Sequence, residues 1–543
     1  MAELILGPLL RYVGEREATV WVETDAPCQV EVLGHRTRTF HVAGHHYGLV
    51  AIGGLGRGQS REYGVVLDGE LRWPEPRSAL PPSRIRTLHP DEELSIAFGS
   101  CRVAAPHSSP YNLEPREHPL GLGVDALRAL ARRVAEQPEA RSPSLLLMVG
   151  DQVYADHVSP GTREFMASRR SLDEPPGEQI ADFEEYTRLY REAWREPLIR
   201  WLLSTVPSAM VFDDHEVIDD WNISAAWKAM VRREPWWRAR IAGAFMAYWL
   251  YQHLGNLSPE QLRHDELLQG ARAADDAAPL LEEFALHADR TTAGKRWSFS
   301  RELGRSRLVV IDSRAGRVLT GPRREMLDEE EWRWLEDELR GVADHLLLAT
   351  SLPFLLPGSI HDLERWNEAV CAGAWGSTAS KLGERLRRAI DLEHWASFAS
   401  SFDRLAGQLL ELWDGRREDA PASVILLSGD VHYAYLAEAT SPTRSPRTRL
   451  WQVVCSPLRH SLDPALRHAN RAAFTRAAAA VSRLLARAAR LPDPALSWEM
   501  THGPDFDNQI TTIALRGRRA YLRLERTPPR EVRLEPLLQA RLA

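Results

Sequence analysis

An α/β layer fold preceded by a smaller β-sandwich is the architecture this sequence predicts, and three observations predict it. Six short apolar runs each close on a small or polar residue, as strands buried on both faces do. Helical stretches separate several of them, which favours alternating α and β layers. The first 90 residues use a different grammar, with short alternating runs divided by Gly, Asp and Pro. At 543 residues the chain exceeds one compact core.

Taken in order, ATVWVET (18–24), QVEVLG (29–34), TRTFHVAG (37–44) and EYGVVLDG (62–69) read as strands of the N-terminal β-sandwich domain, residues 1–90. The Pro-rich RWPEPRSALPPSRIRT (72–87) reads as a linker. Residues 91–543 form the second domain. Its buried strands are LSIAFGS (94–100), SLLLMVGD (144–151), PSAMVFDD (207–214), RLVVIDSR (307–314), HLLLATS (345–351) and SVILLSGD (423–430). Helices are expected at 123–136 and 182–204. A Trp- and Ala-rich helical insertion fills 222–300, and 323–341 and 464–487 each form an amphipathic helix. ITTIALRGRRAYLRLERT (510–527) reads as a closing hairpin.

Composition excludes several classes. Charged residues make up 26% and the net charge is -7, so no basic surface points to nucleic acid or to a membrane. The four cysteines, Cys28, Cys101, Cys371 and Cys455, are far apart, which argues against a disulfide framework or a zinc knuckle. The N-terminus lacks a basic n-region, and LLLATSLPFLLPGSI (346–360) is too short and Pro-broken to span a bilayer. A cytoplasmic protein is the expectation.

Ligands in α/β sheets bind where strands end. Those ends carry Cys101 and Arg102 (FGSCR), Asp151, Tyr154 and Asp156 (VGDQVYAD), Asp213, Asp214, His215 and Glu216 (FDDHE), and Asp430 and His432 (SGDVHYA). Each alone has a structural explanation: an Asp caps a helix, a Cys packs as a small hydrophobe, a Tyr is core. Gathered at one sheet edge, these anions and imidazoles would repel without a cation, and a polyvalent metal removes that cost. The single residue between Asp430 and His432 keeps both side chains on one side of an extended backbone. Other hydrolytic readings have no anchor. The position six after Cys101 is His107 and six after Cys455 is Ser461, neither the Arg of a cysteine phosphatase loop, and no G-x-S-x-G, GxxxxGK[ST] or HExxH occurs. His35, His41, His45 and His46 read as residues of a solvated polar loop without a ligand role, since no Asp or Cys completes a set.

GDQVY, DDHE and SGDVH, in that order after an SC-containing strand end, resemble the alkaline phosphatase D (PhoD-like) family of calcineurin-like metallophosphoesterases. The resemblance covers about residues 94–530, and residues 1–90 look like the β-domain that family carries. It implies a metallophosphoesterase-like layered domain and hydrolysis of phosphate mono- or diesters. Asp151 would bridge two metals. Cys101, Tyr154 and His432 would ligate Fe(3+), and Asp214 and Asp430 would hold a harder ion, Ca(2+), with Mn or Zn as alternatives. A metal-activated hydroxide or oxide would attack, with His215 as proton donor. Arg102 and Arg314 are expected to bind phosphate oxygens or to be buried structural arginines. Asp213 and Glu216 are expected to support the ligands. The GSCR end stands where the wider superfamily has D-x-H. The expected partner is a small phosphate ester, without nucleic acid or membrane. Two alternatives are a degenerate binding scaffold and a nuclease on the same fold. Intact ligand positions disfavour the first, and the acidic balance the second.

Overall fold

Alternation along the buried strands decides the layering. On Leu145–Val149, Leu145, Leu147 and Val149 enter one core while Leu146 and Met148 enter another. On Ser306–Ile311, Leu308 and Val310 join that first core, whereas Val309 and Ile311 face a third. Two sheets therefore pack face to face, each with helices on its outer side. A strand buried on both faces has no polar side to show, which is why these runs are continuously apolar. The computed structural model describes residues 1–138, 142–292, 294, 296–320, 324–341, 343–413, 420–440 and 447–543.

The first sheet has the order Ser208–Val211, Leu145–Val149, Leu94–Gly99, Gln509–Arg516, Arg519–Arg526, Glu535–Arg541, and its first three strands are parallel. The expected closing hairpin is present, turning between Arg516 and Arg519, and it pairs antiparallel with Leu94–Gly99. The second sheet has the order Phe299–Leu303, Ser306–Ile311, His345–Thr350, Ser423–Ser428, Arg449–Val454, Ala434–Thr440, Ser497–Asp505. Within it, Ser306–Ile311, His345–Thr350, Ser423–Ser428 and Arg449–Val454 are parallel.

The N-terminal region holds two four-stranded antiparallel sheets whose inner faces share one core. That core continues without a break into the helices beneath the first large sheet. The Pro-rich segment expected as a linker begins in strand Glu70–Trp73 and ends in Arg84–Arg86, which pairs with Ser60–Glu62, so both its ends belong to β-structure. TRTFHVAG divides into His35–Arg38 and Phe40–Val42, in different sheets. His45 and His46 are not in a loop. They open strand His45–Ile52, and His45 is buried with Nε2 2.6 Å from Glu184 Oε2 and Nδ1 3.3 Å from Glu23 Oε1. Arg191 Nη2 also lies 2.7 Å from His45 Nδ1.

Two expected helices are each split by local chemistry. Residues 182–204 form Phe183–Trp194 and Pro197–Thr205, because Pro197 has no N–H to continue the ladder and is suited to a first turn. Residues 464–487 form Pro464–Ala473 and Arg476–Ala488, the second capped by Thr475, whose side chain accepts from the Ala478 N–H. The helix expected over 323–341 spans Glu329–Glu338 and buries Trp332 and Leu335; Arg323 lies outside the described residues. The insertion, residues 222–300, holds short helical pieces and ends in strand Phe299–Leu303. Positions 293 and 295 within it lie outside the described residues. Among the described residues, no helix is long and apolar enough to cross a membrane.

Candidate metal centre

The strand ends meet at the rim between the two sheets, rather than along one sheet edge. Leu94–Gly99, Leu145–Val149 and Ser208–Val211 deliver residues from the first sheet, and Ser423–Ser428 from the second. The close approach of the strand ends, between the sheets at Gly429 and within the first sheet at Gly150, depends on glycine. A Cβ on Gly429 would collide with the Ser100 side chain, and one on Gly150, at φ +98, would collide with Asp213. Ser100 then receives the Asp430 N–H at 3.1 Å and lies 3.1 Å from Cys101 Sγ, tying the two sheets together at the site.

Ligand-type atoms converge in three overlapping groups, each within 4.8 Å: Cys101, Asp151 and His432; Asp151, Asp214 and His215; Asp151, Asp213, Asp214 and Asp430. Asp151 is common to all three. Its Oδ2 lies 3.4 Å from both Cys101 Sγ and Tyr154 OH. Cys101, Asp151, Asp430 and His432 all hold positive φ, between 53° and 65°, so Asp430 and His432 leave the strand on a left-handed and not, as expected, an extended backbone. Non-glycine residues rarely keep that conformation unless their surroundings impose it, and such strain gathers at functional sites.

The electrostatics call for cations. Asp151, Asp213 and Asp214 are buried, and Asp430 joins them. Arg314 is fully buried among them. It pairs with Asp213 and Glu393, and its Nη2 lies 3.2 Å from Asp214 Oδ1 and 2.8 Å from Asp430 Oδ1. One guanidinium does not balance these carboxylates. Burial, with Asp213 adding to it, pushes the Asp151 carboxyl well above its usual range. Burial also raises Asp214 well above it, against the pull of Arg314. Asp151 Oδ1 and Asp213 Oδ2 are buried without a hydrogen-bond partner among the described residues. Burial, and then the nearby Asp151, raises the Cys101 thiol and Tyr154 phenol well above their usual values. Burial and His215 lower His432 to about 4, so its imidazole is neutral and free to ligate. Orphaned oxygens, a neutral imidazole, a thiol and a phenol around one buried carboxylate fit a polyvalent metal centre.

His215 sits beside this cluster with its Nδ1 2.9 Å from both Asp156 oxygens. Its ring packs on Tyr154 at 4.3 Å between centroids. Burial opposes its charge, but Asp156 and Asp151 outweigh burial and raise its pKa well above the ordinary value. Glu216 receives the Gln152 and Asp213 N–H groups, each at 2.9 Å, so it holds the backbone of two strand ends.

Of the residues singled out from sequence, Cys101, Asp151, Tyr154, Asp214, His215, Asp430, His432 and Arg314 come together here. Arg102 is engaged elsewhere. Its Nε donates to Asp125 Oδ2 at 2.9 Å and its Nη1 to Ala193 O at 2.8 Å. Three neighbours were not anticipated. His394 lies 3.3 Å from Asp430 Oδ2 and 2.6 Å from Glu364 on its other nitrogen, and Glu393 pairs with Arg314 and Arg317. His460 stacks on His432 at 4.0 Å. His460 follows the parallel strand Arg449–Val454, so the same strand-end rule finds it. Glu393 and His394 follow no strand and carry no comparable signal.

Residues 125–490, more than half the chain, match the family described as PhoD-like phosphatase, and residues 1–85 match a domain of unknown function, DUF7800. No curated protein matches. Among solved structures, the chain is similar to one titled "Structure of PhoD", with a TM-score of 0.59 and 12% identity over 100% of this chain and 92% of that chain. It is also similar to the purple acid phosphatase PPD1 from yellow lupin (Lupinus luteus) seeds, with a TM-score of 0.48 and 11% identity over 97% of this chain and 73% of that one.

Proposed function

This chain belongs to the PhoD-like phosphatase family, and on that premise we propose that it hydrolyses small phosphate mono- or diesters at a centre of at least two metal ions. Cys101, Asp151, Tyr154 and His432 would hold one ion, and Asp151, Asp214 and Asp430 another. Thiolate with phenolate favours iron, and an all-carboxylate set favours a hard ion such as calcium. When bound, the metals supply charge neutralisation for the phosphate and acidify the attacking water. Cys101 and Tyr154 give up their protons only against a cation, so loading the centre releases protons. Arg314 orients Asp213, Asp214 and Asp430 toward one another. His215 donates a hydrogen bond from Nδ1–H to Asp156, which holds the imidazolium so that its Nε2–H can pass a proton to the departing oxygen. Arg102 braces the helix that follows Asp125.

The observation that carries this reading is the buried surplus of carboxylates over Arg314, meeting a thiol, a phenol and an imidazole at one rim. Elemental analysis of the purified protein, paired with chromogenic mono- and diesters, tests it. We expect at least two metal equivalents, iron among them, a visible phenolate-to-iron absorption, and turnover abolished by chelation. A colourless, iron-free protein with full activity would refute the Cys101 and Tyr154 assignment.

A further inference from the structure

The helix Trp237–Ala247 does not end in a regular cap. It runs on through a π-turn, Tyr248–Gln252, and a 3₁₀ turn, His253–Asn256. Such π-turns recur at functional sites and leave carbonyls in need of donors. Here the N-terminal region supplies them. Arg11, fully buried on strand Leu4–Val13, donates to Tyr251 O at 3.1 Å and to Gln252 O at 2.7 Å. Its guanidinium passes so close over Gly255 that a Cβ there would collide with it. Tyr251 is held from the same side. Its hydroxyl lies 3.2 Å from Glu23 Oε2 and 3.1 Å from Tyr47 OH, and Trp21 packs on its ring at 5.3 Å.

The other side of this turn grips the strand ends. The fully buried Gln252 donates from Nε2 to Glu216 Oε1 at 3.0 Å. Glu216 in turn accepts the N–H of Gln152, next to Asp151, and of Asp213, next to Asp214. Asn256 pairs with the Met210 backbone in both directions, at 3.0 and 2.7 Å, along the strand that leads to Asp213. A continuous path of buried hydrogen bonds thus runs from Arg11 through the Gln252 turn and Glu216 to the backbone of both carboxylate loops.

We propose that the N-terminal β-region is a brace for the metal centre: Arg11, Gln252 and Glu216 are positioning residues that fix the Asp151 and Asp214 loops, and the region supplies no ligand. The importance of those loops rests on the functional reading above, whereas the brace itself is a statement about backbone order. The two are separable by measurement.

Amide hydrogen exchange on the full chain reads the brace directly at Gln152 and Asp213. Gln252→Met keeps the volume and removes the donor to Glu216. Arg11→Met removes the donors to the turn, and Arg11→Lys keeps one. Arg301→Met is the control, since Arg301 donates to Gly255 O at 3.0 Å and to Asn256 O at 3.4 Å in the same turn without a bond to Gln252. Gln252→Met and Arg11→Met should speed exchange at Gln152 and Asp213 about tenfold, roughly the worth of one buried charged hydrogen bond. Strand Ser423–Ser428 should be unaffected, Arg11→Lys should recover part of the protection, and Arg301→Met should leave it intact. For aryl phosphate turnover, kcat should fall with little change in KM. Should Arg11→Met fail to fold, Gln252→Met and Arg11→Lys carry the test. Unchanged exchange at both amides in Gln252→Met, or exchange that rises only in step with Ser423–Ser428, overturns the brace. Loss of amide protection in a protein that binds no metal and cleaves no ester would sink the functional reading and leave the brace standing.

Discussion

Asp430 shows how the fold holds one proposed ligand in place. Its backbone holds φ 65°, its oxygens face Arg314 and His394, and its N–H is anchored on Ser100. Burial alone would raise its pKa, but His394 and Arg314 outweigh burial and keep it ionised at any ordinary pH. A turn-capping aspartate would cost about 1 kcal/mol when replaced by alanine, and little activity. A ligand behaves otherwise: Asp430→Ala should lose a metal equivalent and about a hundredfold or more of turnover. Mutant and wild type should also draw closer in stability in chelator, where the metal's contribution is gone from both. Full metal content with near-normal turnover in that variant would return Asp430 to the role of a turn residue. His215 makes a different forecast. His215→Ala should slow esters with poor leaving groups far more than activated aryl esters, because only the former need the proton. An equal loss on both would remove His215 as the acid and leave it as support for Tyr154 and Asp156.

At the scale of elements, the helix Ala126–Glu136 is fastened to the site's first strand end by a buried ion pair. Asp125 caps it, accepting from the Leu127 and Arg128 N–H groups on Oδ1, while Oδ2 takes Arg102. Burial disfavours the charged carboxylate, yet Arg102, His107 and Arg459 outweigh it and lower the pKa to about 2. The pair therefore stabilises fully above the unfolded value of about 3.9, and that contribution is lost as pH falls from there toward about 2. Asp125→Ala strands Arg102 without its partner and should cost about 3–5 kcal/mol in urea unfolding at neutral pH. Asp125→Asn should flatten the acid limb of the stability profile. A wild-type midpoint that does not change between about pH 4 and pH 2 would contradict this account.

Across the whole molecule, the N-terminal region is joined to the rest by charge as well as by apolar core. His45, on strand His45–Ile52, bridges Glu23 of its own region and Glu184 of helix Phe183–Trp194. Burial opposes its charge, but hydrogen bonds to Glu184 and Glu23 prevail and raise its pKa to about 9. A raised pKa means stability that is complete below the unfolded value of about 6.5 and lost as pH rises through about 9. His45→Gln should remove most of that alkaline decline, measured as urea midpoints on either side of the window. Equal slopes in wild type and variant would show that His45 packs there uncharged.

What the sequence by itself determined is six buried strands and the chemistry at their ends, but not the largely buried Ala434–Thr440 and Arg449–Val454. A strand covered on both faces must be apolar throughout, and its first polar residues must lie where it leaves the sheet. That is why GDQVY, DDHE and SGDVH could be read as one site. Local rules also placed the breaks at Pro197 and Thr475 within reach, although the longer amphipathic pattern hid them. Tertiary structure alone decided the rest. Partners distant in sequence, such as Glu393 and His394 with Arg314 and Asp430, leave no periodic trace, because their pairing depends on how two sheets face each other. The same holds for Arg102, drawn to Asp125, and for His45, which local composition assigns to a loop and long-range ion pairing buries. A residue's neighbours along the chain set its backbone; only packing sets which charge it meets.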